Sequence, residues 1–277
     1  MKLLVGSAIK DRHAITDCFM RHLRALDTAY LDISWFWIIC QESDRWADLY
    51  KVERLIDLPG MNSLILCDSG PFYSRDIVNK NGDEHRLQAF RRMAFLRNLL
   101  RERALYEGVD ALVSIDSDIC PPPDLLQRLV AADKPWVAAL VDNSAMMNKE
   151  RDPELWRMKG ETPQQGYMPL FNVMNLEETE DPEARFITRH FAPELTNGGE
   201  CDATGAVCLY SRELLQASRW ESHMAGEDIG FSLNAKRAGF KAHYIPLLCD
   251  HLMNEQRLEA HLQNCDTCLE KRRIDAE

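Results

Sequence analysis

Ala111-Leu112-Val113-Ser114-Ile115-Asp116-Ser117-Asp118 is an apolar run that ends in two carboxylates one residue apart. A strand buried on both faces of a parallel sheet reads as a near-continuous apolar segment, and ligands of open α/β sheets gather outside the strands' carboxyl ends. The stretch therefore predicts a buried strand that delivers Asp116 and Asp118 to a site at its exit. Two such acids can hold a hard divalent cation, Mg²⁺ or Mn²⁺, through oxygen, and the ion's open positions suit phosphates. The plain alternative is a solvated turn with two exposed acids.

Alternating elements surround this strand. Leu3-Leu4-Val5-Gly6-Ser7 reads as an opening strand, followed by polar Lys10-Asp11-Arg12 and then by Ile15, Cys18, Phe19, His22, Leu23 and Leu26 at helical spacing. Ile33 to Cys40 is a second strand with polar Gln41-Glu42-Ser43-Asp44 at its exit, and Leu64 to Cys67 a third. A polar turn, Asn79 to Asp83, precedes a long helix from about Glu84 to Glu107, which leads into Val109 to Ile115. Pro121-Pro122-Pro123 stops any further pairing, and Asp124 can cap a helix through Leu125, Leu126, Leu129 and Val130. Val137 to Val141 and Lys241 to Pro246 read as further strands, and Glu227 opens a helix that Gly239 ends. Strands alternating with helices predict a parallel or mixed sheet covered by helices. Asp142 to Glu200 differs, being rich in Pro, Asn, Glu and Met with weak periodicity, and reads as a long insertion. Trp156, Tyr167 and Phe171 within it can stack on a sugar or form a small core of their own.

With 277 residues, 45% hydrophobic and 28% charged, the chain suits one large α/β domain or one with a small appendage. No apolar stretch approaches the about 20 residues that span a bilayer, so no transmembrane segment is expected. Met1 to Ile9 lacks the basic leader and apolar core of a secretory signal, and the nine cysteines are scattered as in a reducing compartment. A cytoplasmic location follows as an expectation. The net charge of -11 argues against broad adhesion to nucleic acid or anionic lipid. Arg86, Arg91, Arg92, Arg97, Arg101 and Arg103 fall within one helix, and all but Arg97 read as a solvated face.

The same pieces, joined by Arg97-Asn98, Cys201-Asp202-Ala203-Thr204-Gly205-Ala206, Gly226-Glu227-Asp228 and Asp250-His251-Leu252-Met253, resemble in order and spacing the glycosyltransferases of the GT-A fold, above all the mostly inverting family 2. The resemblance covers most of the chain. It implies an α/β, Rossmann-like GT-A domain over residues 1–253, with a mixed, mainly parallel sheet flanked by helices and an acceptor-region insertion at about 142–200. The implied activity is metal-dependent transfer of a sugar from a nucleoside-diphosphate sugar to an acceptor hydroxyl, with inversion. By resemblance, Asp118 ligates Mn²⁺ or Mg²⁺, Asp116 lies nearer the ribose or reaches the ion through water, and His251 adds a ligand. Asp228 is the implied catalytic base, with Glu227 beside it, although both acids also suit a helix's positive end for its own sake. Ser7, Arg12 and Glu42 match positions that hold the donor base, and Arg97 one that reaches the diphosphate or base. A UDP-sugar is favoured as donor and a GDP-sugar is the alternative, because Gln41-Glu42-Ser43 replaces the commoner acidic pair. The acceptor stays open among a glycan, a lipid-linked sugar, a protein and a modified DNA base.

The tail, residues 254–277, carries a separate signal. His261-Leu262-Gln263-Asn264-Cys265-Asp266-Thr267-Cys268 has spacing that suits a tetrahedral, structural Zn²⁺, and it resembles the zinc-binding helix of anti-sigma factors. A fourth ligand is required, for which Cys249 is the nearest candidate. The alternative is a charged helix with two thiols facing solvent. Two other functions remain open: a non-catalytic, zinc-dependent interaction protein, and an Asp-x-Asp phosphotransferase. The common enzymes of the latter kind want Gly-Thr soon after the second acid, where this chain has Ile119-Cys120-Pro121.

Overall fold

The computed structural model describes residues 1–10, 13–41, 64–68, 83–141, 171–178, 186–190, 193–252 and 255–268. In chain order they form β1 (Lys2–Lys10), α1 (His13–Arg24), β2 (Asp32–Gln41), β3 (Leu64–Asp68), α2 (Asp83–Glu107), β4 (Ala111–Ile115), β5 (Ile119–Cys120), α3 (Leu125–Ala131), β6 (Trp136–Val141), β7 (Val173–Glu178), β8 (Phe186–His190), β9 (Gly199–Cys201), β10 (Ala203–Thr204), β11 (Val207–Ser211), α4 (Arg212–Ala217), α5 (Glu227–Arg237), β12 (Ala242–His251) and α6 (Glu255–Asn264).

The main sheet runs β3-β2-β1-β4-β11-β6-β12-β5, with β9 also paired to β12. Pairing is parallel from β3 to β4 and between β6 and β12, whereas β11 lies antiparallel between β4 and β6. The sheet is therefore mixed. Strand periodicity splits its apolar residues between two cores. Leu3, Val5, Trp37, Val113, Val137 and Leu209 face one core with Phe19 and Leu23 of α1 and Leu126 of α3. Leu4, Ile38, Leu112, Ala138 and Tyr210 face the other, against Leu96 and Leu100 of α2 and Phe231 of α5. Both faces are covered, which explains why β4 is buried along its whole length.

Three elements depart from what the sequence led us to expect. First, β12 runs to His251 instead of ending at Pro246, because a bulge absorbs the proline: Ile245 pairs with Ala139, and the next pair is Leu248 with Leu140. Second, the 142–200 segment is not wholly irregular, since β7 and β8 lie in it and join β10 in a three-stranded antiparallel sheet. Phe171 is buried in the core below this sheet and is no sugar platform, while Trp156 and Tyr167 lie outside the described residues. Third, Asp124 stands at the start of α3 but makes no capping hydrogen bond, its carboxylate lying 3.8 Å from Arg128 Nη1. The arginines of α2 are also less idle than expected. Arg101 Nε donates to Leu215 O at 2.7 Å and Ser218 O at 2.9 Å, tying α2 to the end of α4.

Beneath the α2–α5 face, Trp220 and Phe231 stack at 4.2 Å, and Phe231 meets Trp136 and Tyr210 edge-on at 5.4 and 5.1 Å. This cluster fixes α5, whose first turn carries Glu227 and Asp228, against β6 and β11. Phe231→Ala is expected to cost about 3–5 kcal/mol of stability, as other large-to-small core changes do. Urea titration of both proteins measures it.

Candidate functional site

β4 ends at Ile115, and the chain turns at once: Asp116 N donates to Ala206 O at 2.8 Å, and Ile119 N to Asp116 O at 3.0 Å. The turn presents Asp116 and Asp118 on the sheet's carboxyl edge, as the opening stretch predicts. Opposite it, Ala206 holds a left-handed backbone, φ 68°, which is uncommon outside glycine and is sustained by the strands on both sides. Asn172, buried, clasps this region: its Nδ2 donates to Gly205 O at 2.8 Å and Ala139 O at 3.0 Å, while Oδ1 accepts from Val141 N at 2.8 Å. Nothing in the sequence marks Asn172, because its partners lie on two distant segments, β6 and the Gly205 turn.

Arg97 rises from α2 into the middle of the acids. Its Nη2 donates to Asp116 Oδ2 at 3.2 Å and its Nε to Glu227 Oε1 at 3.1 Å, with Asp228 Oδ1 3.6 Å from Nε. Burial alone would lower the pKa of the guanidinium, yet Asp116, Asp228 and Glu227 together hold it well above its ordinary value. Burial also raises Asp116 to about 6 against the pull of Arg97, with Asp118 adding to the rise. Asp228 is raised to about 7 by burial, opposed by Arg97 and reinforced by Glu227 and Asp116. Its Oδ1 accepts no hydrogen bond from the described residues. Its carboxylate lies directly over Gly205, where a Cβ would overlap it. The arrangement holds one cation among three acids, and Asp118 adds a further negative charge.

Asp118 and His251 face each other across the ends of β4 and β12. His251 Nε2 lies 3.5 Å from Asp118 Oδ1, and Leu252 N donates to Asp118 O at 2.8 Å. His251 is the last residue of β12 and not part of a turn beyond it, paired there with Ile119 of β5. A carboxylate and an imidazole beside a second carboxylate form a donor set that suits Mn²⁺ or Mg²⁺.

Two of the expected donor contacts lie in the described residues. Ser7 is buried within β1, where it pairs with Trp37. Arg97 is buried with its Nε and Nη2 aimed at carboxylates. Arg12 and Glu42 lie outside the described residues.

A second constellation lies on the same edge. His261 of α6, with Cys265 and Cys268 just beyond it, converges with His22 of α1, the ligand atoms of all four lying within 4.8 Å of one another. Cys249 is not among them. It is buried against the Leu126 and Val137 core, because strand periodicity turns it away from the tail. His22 stands where Cys249 was expected; its position 239 residues from His261 hides it from motif spacing. Leu258 and Leu262 also settle on Cys18, Cys120 and Leu252, so residues 255–268 are anchored to the domain.

No protein-family model matches the sequence, and no curated protein matches it significantly. Similarity to solved structures is extensive. A structure of GalNAc-T7 with UDP, GalNAc and Mn²⁺ superposes with a TM-score of 0.54 at 14% identity, covering 90% of this chain and 43% of that one. The chain thus spans less than half of that protein's length. The mannosyltransferase PcManGT from Pyrobaculum calidifontis, in complex with GDP-Man and Mn²⁺, gives 0.49 at 14% identity over 99% of this chain and 65% of its own. Glucosyl-3-phosphoglycerate synthase from Mycobacterium tuberculosis, with Mn²⁺, UDP and phosphoglyceric acid, gives 0.45 at 14% identity over 98% and 78%. At such identities the likeness speaks for architecture, and the chain has the GT-A fold.

Proposed function

We propose that this protein is a metal-dependent glycosyltransferase that moves a sugar from a nucleoside-diphosphate sugar to an acceptor hydroxyl. The observation that carries the reading is the meeting of Asp118, His251 and Asp116 on one edge of the sheet, with the raised Asp228 carboxyl beside them. Asp118 and His251 would hold Mn²⁺ or Mg²⁺ with Asp116 close by, and the ion would offset the charge that builds on the departing diphosphate. UDP is the favoured nucleotide, since it occupies GalNAc-T7, which shares the fold; GDP is the alternative. Among the described residues no helix is long and apolar enough to cross a membrane, which accords with a cytoplasmic enzyme acting on a soluble or membrane-face acceptor.

In this reading Asp228 accepts the proton of the attacking hydroxyl. Its side chain is a quarter exposed, and its raised pKa places the acid–base change near neutral pH, where a general base works best. Arg97 and buried Glu227 position that carboxylate without meeting substrate. Attack from the side opposite the leaving group would invert the anomeric centre, and the anomer of the product, read by NMR, decides this.

Calorimetric titration with UDP and GDP, with and without Mn²⁺, tests the site. Manganese-dependent binding of one nucleotide, lost in Asp118→Ala, is the expected result; a parent protein that binds neither nucleotide would falsify the reading. Asp228→Asn is expected to retain nucleotide binding and to lower the transfer rate by about 10²–10⁴-fold. Transfer should also weaken as pH falls through about 7, because protonated Asp228 cannot accept a proton. Stability has the opposite trend. A carboxyl raised in the folded state binds its proton more tightly there than in the unfolded chain, so its contribution falls as pH rises from the ordinary carboxylate range through about 7. Denaturant titrations across that range should show the decline, flattened in Asp228→Asn.

A further inference from the structure

The geometry points to a closed structural zinc centre made by His22, His261, Cys265 and Cys268, which ties α1 and the tail to the end of β12. The four residues come from two distant parts of the chain, yet their ligand atoms converge. Nε2 of His22 and of His261 are 3.1 Å apart, Cys265 Sγ lies 3.3 Å from His22 Nε2, and Cys268 Sγ lies 3.5 Å from His261 Nε2 and 3.9 Å from His22 Nε2. Zn–N bonds of about 2.0–2.1 Å and Zn–S bonds of about 2.3 Å in a tetrahedron put N···N near 3.4 Å and N···S near 3.6 Å. The observed N···S separations bracket the second value, and the N···N separation is shorter than the first by about 0.3 Å.

The outer contacts argue the same way. His22 Nδ1 lies 2.8 Å from Pro121 O, and since a carbonyl only accepts, Nδ1 carries the proton. His261 Nδ1 lies 2.8 Å from Asp250 Oδ2, and a carboxylate accepts, so Nδ1 carries the proton there too. Each ring, when neutral, would therefore turn an unprotonated Nε2 inward, as a zinc ligand must. Two lone pairs 3.1 Å apart call for a shared proton or a cation between them. The two thiols are the nearest donors, and weak ones. A carboxylate or a backbone carbonyl on the far nitrogen is the usual support of a zinc-bound imidazole. Two thiolates and two neutral imidazoles would balance the ion's charge, and soft sulfur with imidazole selects zinc over the oxygen-seeking Mg²⁺. A cavity of ≈ 610 Å³ lined by His22, Asp250, His251, Arg257, His261 and Cys265 gives the ion a way in. Cys18 Sγ, 3.9 Å from Cys268 Sγ, lies outside the set of four and accepts from Arg21 Nη2 at 3.0 Å instead.

The test is metal analysis of the full chain, purified without chelator and dialysed against Zn²⁺, in an Asp118→Ala background so that an ion at the carboxylate site does not add to the count. About one zinc per chain is expected. It should be lost in His22→Ala and Cys265→Ser, and kept in Cys18→Ser and Cys249→Ser. Replacing zinc by Co²⁺ in the chain with all four ligands intact needs no ligand variant to fold, and should give the charge-transfer and d–d bands of a tetrahedral two-thiolate site. Chelation should lower Tm and speed amide exchange across 255–268. A protein that takes up no zinc, a six-coordinate cobalt spectrum, or zinc that survives His22→Ala but not Cys249→Ser would each overturn the proposal. None of these readouts requires substrate, so the outcome is independent of whether the chain transfers sugar.

Discussion

The charge on Arg97 is the constraint around which the site is arranged. A carboxylate moved out of water costs several kcal/mol unless it is paired, and here Asp116, Glu227 and Asp228 gather around one guanidinium. The long helix α2 delivers that cation, β4 one acid and the first turn of α5 the other two. Remove the cation, and three elements that share no backbone hydrogen bonds lose their common reference. The α5 end is held a second time by the Trp220–Phe231 stack, so the acids meet Arg97 with little freedom left to them. Rigidity of this kind is what a base with a tuned pKa needs, since movement of about 1 Å is enough to detune a catalytic group.

Much of this was legible in the residue order. Ala111 to Asp118 gave the buried strand and its terminal acids, and the polar turn Asn79 to Asp83 marked the start of the long helix. Glu227 and Asp228 opened a helix as read. What escaped shares one physical cause: contacts between residues far apart in sequence. Pro246 looks like the end of a strand because proline lacks a donor, but pairing with β6 resumes past the bulge. The strands β7 and β8 are short and partly polar, and they become a sheet only with β10 beside them. His22 belongs to an amphipathic helix stripe, and nothing local distinguishes it from a core histidine. Its significance rests on His261 and on Pro121.

The fold places two groups of different hardness side by side. Asp116, Asp118 and His251 offer mainly oxygen, while His22, His261, Cys265 and Cys268 offer nitrogen and sulfur. Differences in donor softness keep their ions apart more reliably than distance does. The separation is short: Cys120, which pairs with Asp250 of β12, sits two residues after Asp118 in the chain and packs in the cluster of Cys18 and Cys268.

The bulge in β12 also has arithmetic in it. Between the pairs Ile245–Ala139 and Leu248–Leu140 the strand carries two more residues than its partner, an even number, so the alternation of faces passes through unchanged. Asp250 then reaches His261 while the next residue, His251, reaches Asp118. A slip of one residue in the register of Leu248 to His251 would reverse that parity, exchanging carboxylate and imidazole between the two sites. One register thus sets both sites at once.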